Sequence, residues 1–335
     1  MFWYTVRRIV AGIVLLVAMS MLTFVLFYVA PTDPARLTCG KNCTPAGIEA
    51  NRRYLGLDQP LVDQYVAFVG GLFHERQFPN DPGLRRARPD LVVHCQAPCL
   101  GYTPLHDEEV WTYLKPKIPV TVSMVAGAFL MWMISGVLLG VVAALFRGKL
   151  LDRMIVSGSL VLYSFPTFFL SMIMFELVVF RFGWMAVPEY TGVAHFGPFL
   201  YNLVLPCLSL AHVFVAGYIR QTRTYMLEVM QEDYLRTARS KGVRERSVVF
   251  KHTLRAAMTP IVTVAGLDLG AALAGAPITE TIFNYQGLGY ATVNSVSVFD
   301  LPVTFAIVVL TSFFVIVANL VVDLLYGVID PRVRY

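Results

Sequence analysis

The chain has 335 residues, of which 56% are hydrophobic, 13% aromatic and only 15% charged, with a net charge of +5 and a mean hydropathy of +0.62. Soluble globular chains carry roughly 25% charged residues, so these values exclude an ordinary soluble domain and indicate an integral membrane protein. The positive balance is not a nucleic-acid signature, because the basic residues sit beside apolar runs.

Crossing a bilayer as a helix takes roughly 20 residues at about 1.5 Å each, and six runs are long enough. The first is Ile9–Ala30, free of charge and closed by Pro31. Arg7 and Arg8 give it the positive start of a signal peptide, but the run is about twice the usual apolar core and its exit, F-Y-V-A-P-T-D-P-A, is a poor cleavage site. It reads as a retained helix.

Pro31 to Lys117 is too long for a plain connection. Thr44 is placed to cap a helix with Pro45 at its first position, running to Leu55 and stopped by Gly56. Over Pro60–Phe73, Leu61, Tyr65, Phe68, Val69 and Leu72 recur at helical spacing, ending at Gly70–Gly71 or soon after. Such helices either lie on the membrane surface or pack over the spans. Four of the five cysteines are here: Cys39, Cys43, Cys95 and Cys99, as two Cys-x3-Cys pairs. On an oxidising side these read as disulfides rather than a metal site, in one of three connectivities. Pairing across the two motifs would staple the base of the insert; pairing within each remains open.

The second run is Ile118–Phe146, with Gly136 and Gly140 at a spacing that lets helices approach closely. The third is Met154–Phe180, interrupted only by Glu176, and the fourth is Phe199–Ile219, with His212 and Cys207 inside. Cys207 reads as packing. A basic segment follows: between Ile219 and Met258 lie nine Lys/Arg against four Asp/Glu, with Gly242 breaking an otherwise helix-compatible stretch. So much charge between two spans implies an exposed element that meets something in water.

The fifth run, Thr259–Phe283, contains Asp268 about midway and Glu280 at its end, together with a series of Gly and Ala; Pro277 is placed to kink or end it. Ionisable residues inside a membrane are functional suspects. For Glu176 and His212 the expected role is to face the bundle interior and pair with a hydroxyl, a backbone carbonyl or a partner subunit, while Asp268 either does the same or lines a polar path. Glu280 and Asp323 are expected at span ends, within reach of water. The sixth run is Leu301–Val322, free of charge.

Short connections set orientation through their Lys/Arg content. One set holds Arg7, Arg8, Arg147, Lys149, Arg153, the nine of the basic segment, Arg332 and Arg334; the short loops of the other set hold only Arg181. Both termini and the basic segment are therefore expected in the cytoplasm. The expected fold is an all-α integral membrane protein of six transmembrane helices with a large external loop. It divides into 1–30 with the first helix, 31–117 as the external loop, and 118–335 holding helices two to six, with the basic segment at 224–257.

No G-x-x-x-x-G-K-[ST], H-E-x-x-H or G-x-S-x-G occurs, so no enzyme site is supported, and any ATPase belongs to another subunit. The segment D-Y-L-R-T-A-R-S-K-G-V (Asp233–Val243), followed by H-T-L-R-A-A-M-T-P-I-V-T (His252–Thr263), resembles the cytoplasmic loop of bacterial ABC importer permeases, in the dipeptide/oligopeptide/nickel branch. L-G-L-D-Q-P (Leu55–Pro60), E-T-I-F-N-Y-Q-G-L-G (Glu280–Gly289) and D-L-L-Y-G-V-I-D-P-R-V-R-Y (Asp323–Tyr335) agree with it. Many importer permeases carry Glu-Ala-Ala before the loop glycine and a Pro beyond it; here Arg236-Thr237-Ala238 and Arg255 stand there, and 76–106 matches nothing in the pattern.

The resemblance implies a bacterial cell-membrane permease subunit, itself without cofactor. Its partners would be a second related permease, two ABC ATPase subunits or domains that bind ATP and Mg, an extracytoplasmic binding protein and membrane lipid. It implies a coupling helix around Gly242, where Tyr234 and Leu235 would anchor in an apolar groove of the ATPase while Arg239, Lys241 and Arg244 meet polar acceptors. Asp268 would face the translocation path, and Gly287 and Gly289 would lie in an outer-face element contacting the binding protein. The implied cargo is a di- or oligopeptide. The alternative is a proton-coupled secondary transporter using Asp268, Glu176 and His212; a membrane scaffold or receptor is a third class.

Overall fold

The computed structural model describes residues 2–29, 33–38 and 43–329. Cys39 and the last six residues, including Arg332 and Arg334, lie outside them. In chain order the helices are α1 (Phe2–Val29), α2 (Pro34–Leu37), α3 (Pro45–Leu55), α4 (Leu61–Gly71), α5 (Pro82–Ala87), α6 (Val110–Leu114), α7 (Ile118–Leu145), α8 (Leu150–Ser164), α9 (Thr167–Phe175), α10 (Phe196–Val229), α11 (Asp233–Ser240), α12 (Glu245–Ser247), α13 (Leu254–Ile282), α14 (Leu288–Ser297) and α15 (Leu301–Ile329). Among the described residues five helices are long and apolar enough to cross a membrane: Thr5–Phe27, Val110–Leu145, Val193–Val229, Glu245–Ile282 and Leu301–Val322.

A sixth crossing exists if α8 and the stretch Thr167–Arg181 count as one span, but they meet at 97°. The straight third span expected over 154–180 is therefore corrected to a broken one. Pro166 has no N–H to donate, and its ring holds Phe165 extended (φ −82, ψ 128), so the helix stops there and restarts. A π-helical turn, Glu176–Arg181, ends the pair. The kink expected at Pro277 does not end α13, which continues through both Pro260 and Pro277 to Ile282.

Four short strands modify the all-α expectation: β1 (Arg76–Phe78) pairs antiparallel with β2 (Val93–Cys95), and β3 (Tyr102–Thr103) with β4 (Glu108–Glu109). At two or three residues each, they are too short to leave a period-2 pattern in sequence. Cys95 and Cys99 are bonded to each other. Cys43 is also in a disulfide. Of the pairings left open by the sequence, Cys95 and Cys99 thus adopt the local one, within a single Cys-x3-Cys motif.

The chain forms two compact units. The first comprises Met1–Ile9, Val120–Gln286 and Val315–Tyr335. Its centre is α10, against which α8, α9 and α13 pack. In lipid there is no hydrophobic gain from bringing helices together, so close contact and hydrogen bonds must hold them. α7 supplies the close contact: a Cβ added at Gly136 would stand 2.5 Å from the Tyr218 Cβ, and one at Gly140 2.5 Å from the Thr222 Cβ. Trp132, Met124, Cys207, Leu210, Tyr218 and Ile261 fill this core.

The second unit comprises Val10–Pro119 and Gly287–Phe314. Its core joins Phe24 of α1, Phe68 of α4, Val110 and Leu114 of α6, Leu288 of α14 and Phe305 of α15. Phe305 meets Phe68 edge-on at 4.5 Å and Phe24 at 5.8 Å between ring centroids, contacts worth roughly 0.5–1.5 kcal/mol each beyond area burial. The Thr44 cap is realised, its hydroxyl accepting from Gly47 N–H at 3.2 Å, and Gly56 ends α3 in the left-handed region (φ 73). Behind α4 lies a cavity of about 100 Å³, bounded by Phe24, Tyr54, Phe68, Arg76, Asn80 and Tyr102 among others.

Candidate functional site

The basic segment folds as a seated turn. α11 begins after Glu232, with Asp233 in its first turn favourable to the helix N-terminus. It ends at a left-handed glycine: Gly242 has φ 79, its N–H donates to the Arg239 carbonyl at 2.9 Å, and Val243 N–H donates to the Ala238 carbonyl at 3.2 Å. These two bonds form a Schellman cap, which leaves L-residues strained at the glycine position. Arg239 closes the turn from outside, its Nε and Nη2 donating to the two carboxylate oxygens of Glu245 at 3.2 and 2.9 Å. Beyond α12 a π-helical turn, Val248–Thr253, leads into α13, and α11 packs on that turn.

The expected anchors separate here. Leu235 is fully buried within its own chain, alongside Val248 and Val249, so it seats α11 rather than offering itself to a partner. That corrects its expected role: α11 is strongly amphipathic, and its apolar side needs a surface of the same protein. Tyr234 is 48% exposed, and Lys241, Gly242 and Arg244 are exposed as well. The surface left for another molecule includes the Tyr234 ring, the Lys241 and Arg244 cations and the Gly242 turn.

Close to this segment in sequence, α10 carries Arg223, whose Nε and Nη2 donate to the two carboxylate oxygens of Asp152 at 2.7 and 2.9 Å. Gly148 N–H donates to the same carboxylate at 2.9 Å, and Asp152 is buried. Sequence reasoning counted Arg223 among the basic residues and passed over Asp152. The available signal was that Asp152 is the one acid beside Arg147, Lys149 and Arg153.

Within the spans, the Tyr218 hydroxyl of α10 donates to Asp268 Oδ2 of α13 at 2.9 Å. Asp268 is half-buried, and Gln221 Oε1 and Thr222 Oγ1 are buried without a hydrogen-bond partner. His212 is buried, with Nδ1 2.6 Å from the Ser209 carbonyl and Nε2 3.4 Å from the Phe165 carbonyl at the α8–α9 break. Ser209 is also hydrogen-bonded to Ser171 of α9. Glu176 does not face the interior as expected but is exposed at the start of its π-helical turn. Glu280 is not at a wet span end: it is fully buried and accepts from the Thr121 hydroxyl at 2.5 Å. α13 continues to Ile282, which carries Glu280 on its packed side.

Gly287 and Gly289, expected on an outer contact surface, are buried; Gly287 precedes α14 and accepts from Ala291 N–H through its carbonyl. The exposed side of that helix carries Val293 and Val296 instead. Among the described residues no group of three or more His, Cys, Asp or Glu is arranged to hold a metal ion.

Residues 136–335 match the family described as binding-protein-dependent transport system inner membrane component, and residues 1–125 match the N-terminal region of such membrane components. The chain is 34% identical over 332 residues to the glutathione transport system permease protein GsiC of Escherichia coli (strain K12), covering 99% of each. It is 35% identical, over the same length and coverage, to the protein of the same name from Pectobacterium atrosepticum. These relatives are transport permeases rather than enzymes. Full-length similarity, apolar crossing helices and the seated basic turn converge: the chain belongs to the ABC importer permeases of the dipeptide, oligopeptide and glutathione branch, multi-pass proteins of the bacterial inner membrane.

Proposed function

We propose that this chain forms half of the translocation path of an ATP-driven importer for di- or oligopeptides, including glutathione, itself a tripeptide. A soluble binding protein delivers the cargo. A second related permease supplies the other half of the path, and two ABC ATPase subunits bind the ATP and Mg. The observation that carries this reading is the Gly242 turn: a short helix fixed to its own protein through Leu235 and presenting Tyr234, Lys241 and Arg244 outward. A rigid, solvent-facing element of this kind transmits the closing of an ATPase pair as a lever, with Tyr234 in an apolar groove and the cations on polar acceptors. Anionic lipid heads would attract the same cations at about 1 kcal/mol each, but would not require the exposed ring or the capped turn.

With the turn in the cytoplasm, the bias of basic residues in the short connections places both termini there and the 31–117 segment outside. Asp268, half-buried at mid-span, is the group proposed to line the path; peptide carries two charged ends and a polar backbone, so the path must be wet. The proton-coupled alternative gains nothing from the geometry, since Asp268 is held by Tyr218, His212 contacts two carbonyls and Glu176 is exposed.

The test is reconstitution of the chain with its partner subunits in vesicles. Uptake of labelled peptide should require ATP and be lost in Gly242→Pro with the protein still in the membrane. Uptake driven by a pH gradient without ATP would overturn the reading. Identifying the ligand on the co-isolated binding protein names the cargo.

A further inference from the structure

α4 makes contacts that a helix lying above the membrane could not make. Its Tyr65 hydroxyl is 2.8 Å from the Ser20 hydroxyl and 3.5 Å from the Val17 carbonyl, both on α1. The Tyr65 ring also meets Phe24 edge-on at 5.4 Å. The apolar crossing stretch of α1 is Thr5–Phe27. Ser20 and Val17 therefore lie about 10 and 15 Å inside its Phe27 end, at roughly 1.5 Å per residue.

Were α4 resting on top of that end, its axis would stand a further 5 Å or so away, about half a helix diameter. Tyr65 would then have to bridge roughly 15 Å. Its side chain, built from bonds of about 1.4–1.5 Å, extends only about 6 Å. The depth of the contact decides between the two placements.

The outward side of α4 agrees. Val62 is 71% exposed, Val66 60% and Phe73, just past the helix end, 72%. With the partly buried Val69 they recur at i, i+4, i+7 and i+11, a single stripe. This stripe adjoins the side carrying Tyr65, Phe68 and Leu72, which packs in the core with Phe24 and Phe305. Asp63 and Gln64 fall outside it. At the same level α1 exposes Leu22, Val25 and Leu26, the surface of a lipid-facing helix. An apolar stripe at that depth, flanked by a lipid-facing span, has hydrocarbon as its natural neighbour.

We propose that α4 is a membrane-embedded helix, sunk in the leaflet that surrounds the Phe27 end of α1, with Val62, Val66 and Phe73 in contact with lipid acyl chains. The segment between the first two spans is then anchored in the bilayer by a helix that does not cross it.

Nitroxide labels at Val62→Cys and Val66→Cys test this in the assembled transporter in lipid nanodiscs, with Glu49→Cys on α3 as the reference. Cys43, Cys95 and Cys99 are disulfide-bonded and Cys207 is buried, so these native thiols do not compete for the label. Collision with oxygen relative to a water-soluble nickel chelate should be several-fold greater at 62 and 66 than at 49. A ratio equal to that at 49 would place the stripe in water. Exclusion of both reagents at 62 and 66 would place a protein surface there. Either result overturns the proposal.

Discussion

Asp152 is buried only because Arg223 and the Gly148 N–H together satisfy both of its oxygens. Removing Arg223 would leave the Asp152 charge buried without its partner, a cost of roughly 3–5 kcal/mol. Arg223→Ala should therefore lower the thermal midpoint of the detergent-purified protein far more than Arg153→Ala, whose side chain is exposed. Asp268 has a different expectation. Tyr218 holds only one of its oxygens at 2.9 Å, so Asp268→Ala should change uptake rate or substrate range while the protein still accumulates. Unchanged uptake kinetics would leave Asp268 a packing group. Asp300, just before α15, is buried and its pKa is raised by that burial, a shift offset in part by the Thr103 hydroxyl and the Val303 N–H. A raised folded-state value means stability is greatest below the ordinary carboxylate range near pH 4 and falls as pH rises through the folded value. Asp300→Asn keeps an acceptor for Thr103 and should remove that part of the pH dependence, read as thermal midpoint against pH.

At the scale of elements, two glycines act for different reasons. Gly136 permits contact, so Gly136→Leu should push α7 from α10 and deplete the folded protein in the membrane. Gly242 permits a dihedral. An added Cβ there meets nothing within 4 Å, so Gly242→Ala adds only backbone strain, about 1–2 kcal/mol. Gly242→Pro also removes the N–H that bonds Arg239 and forces φ negative. Uptake should thus be impaired by alanine and abolished by proline; equal, near-normal uptake in both would dissociate the turn from coupling. Signals of this local kind were legible in advance: the Thr44 cap, the Gly56 stop, the α4 periodicity and the turn at Gly242 all stand where residue chemistry put them. Leu235 and Glu280 were not, because which side of a helix is covered depends on distant residues. The α8–α9 break was legible at Pro166 and was masked by the unbroken hydropathy around it.

For the molecule as a whole, composition and run length were enough to indicate a multi-span membrane protein, and ordered motifs along the chain pointed to its family. Neither conveyed how the chain divides. Similarity follows sequence order, with one match over 1–125 and another over 136–335. Compactness does not: α1 and α15 each contribute to both units, which change over near Ile9 and near Phe314. Grafting the front third of one relative onto the rear of another would therefore cut through a folded body, separating Phe24 and Phe68 from the Phe305 they evolved against. Functional chimaeras of such proteins should exchange 10–119 together with 287–314, two stretches far apart in the gene and one piece in space.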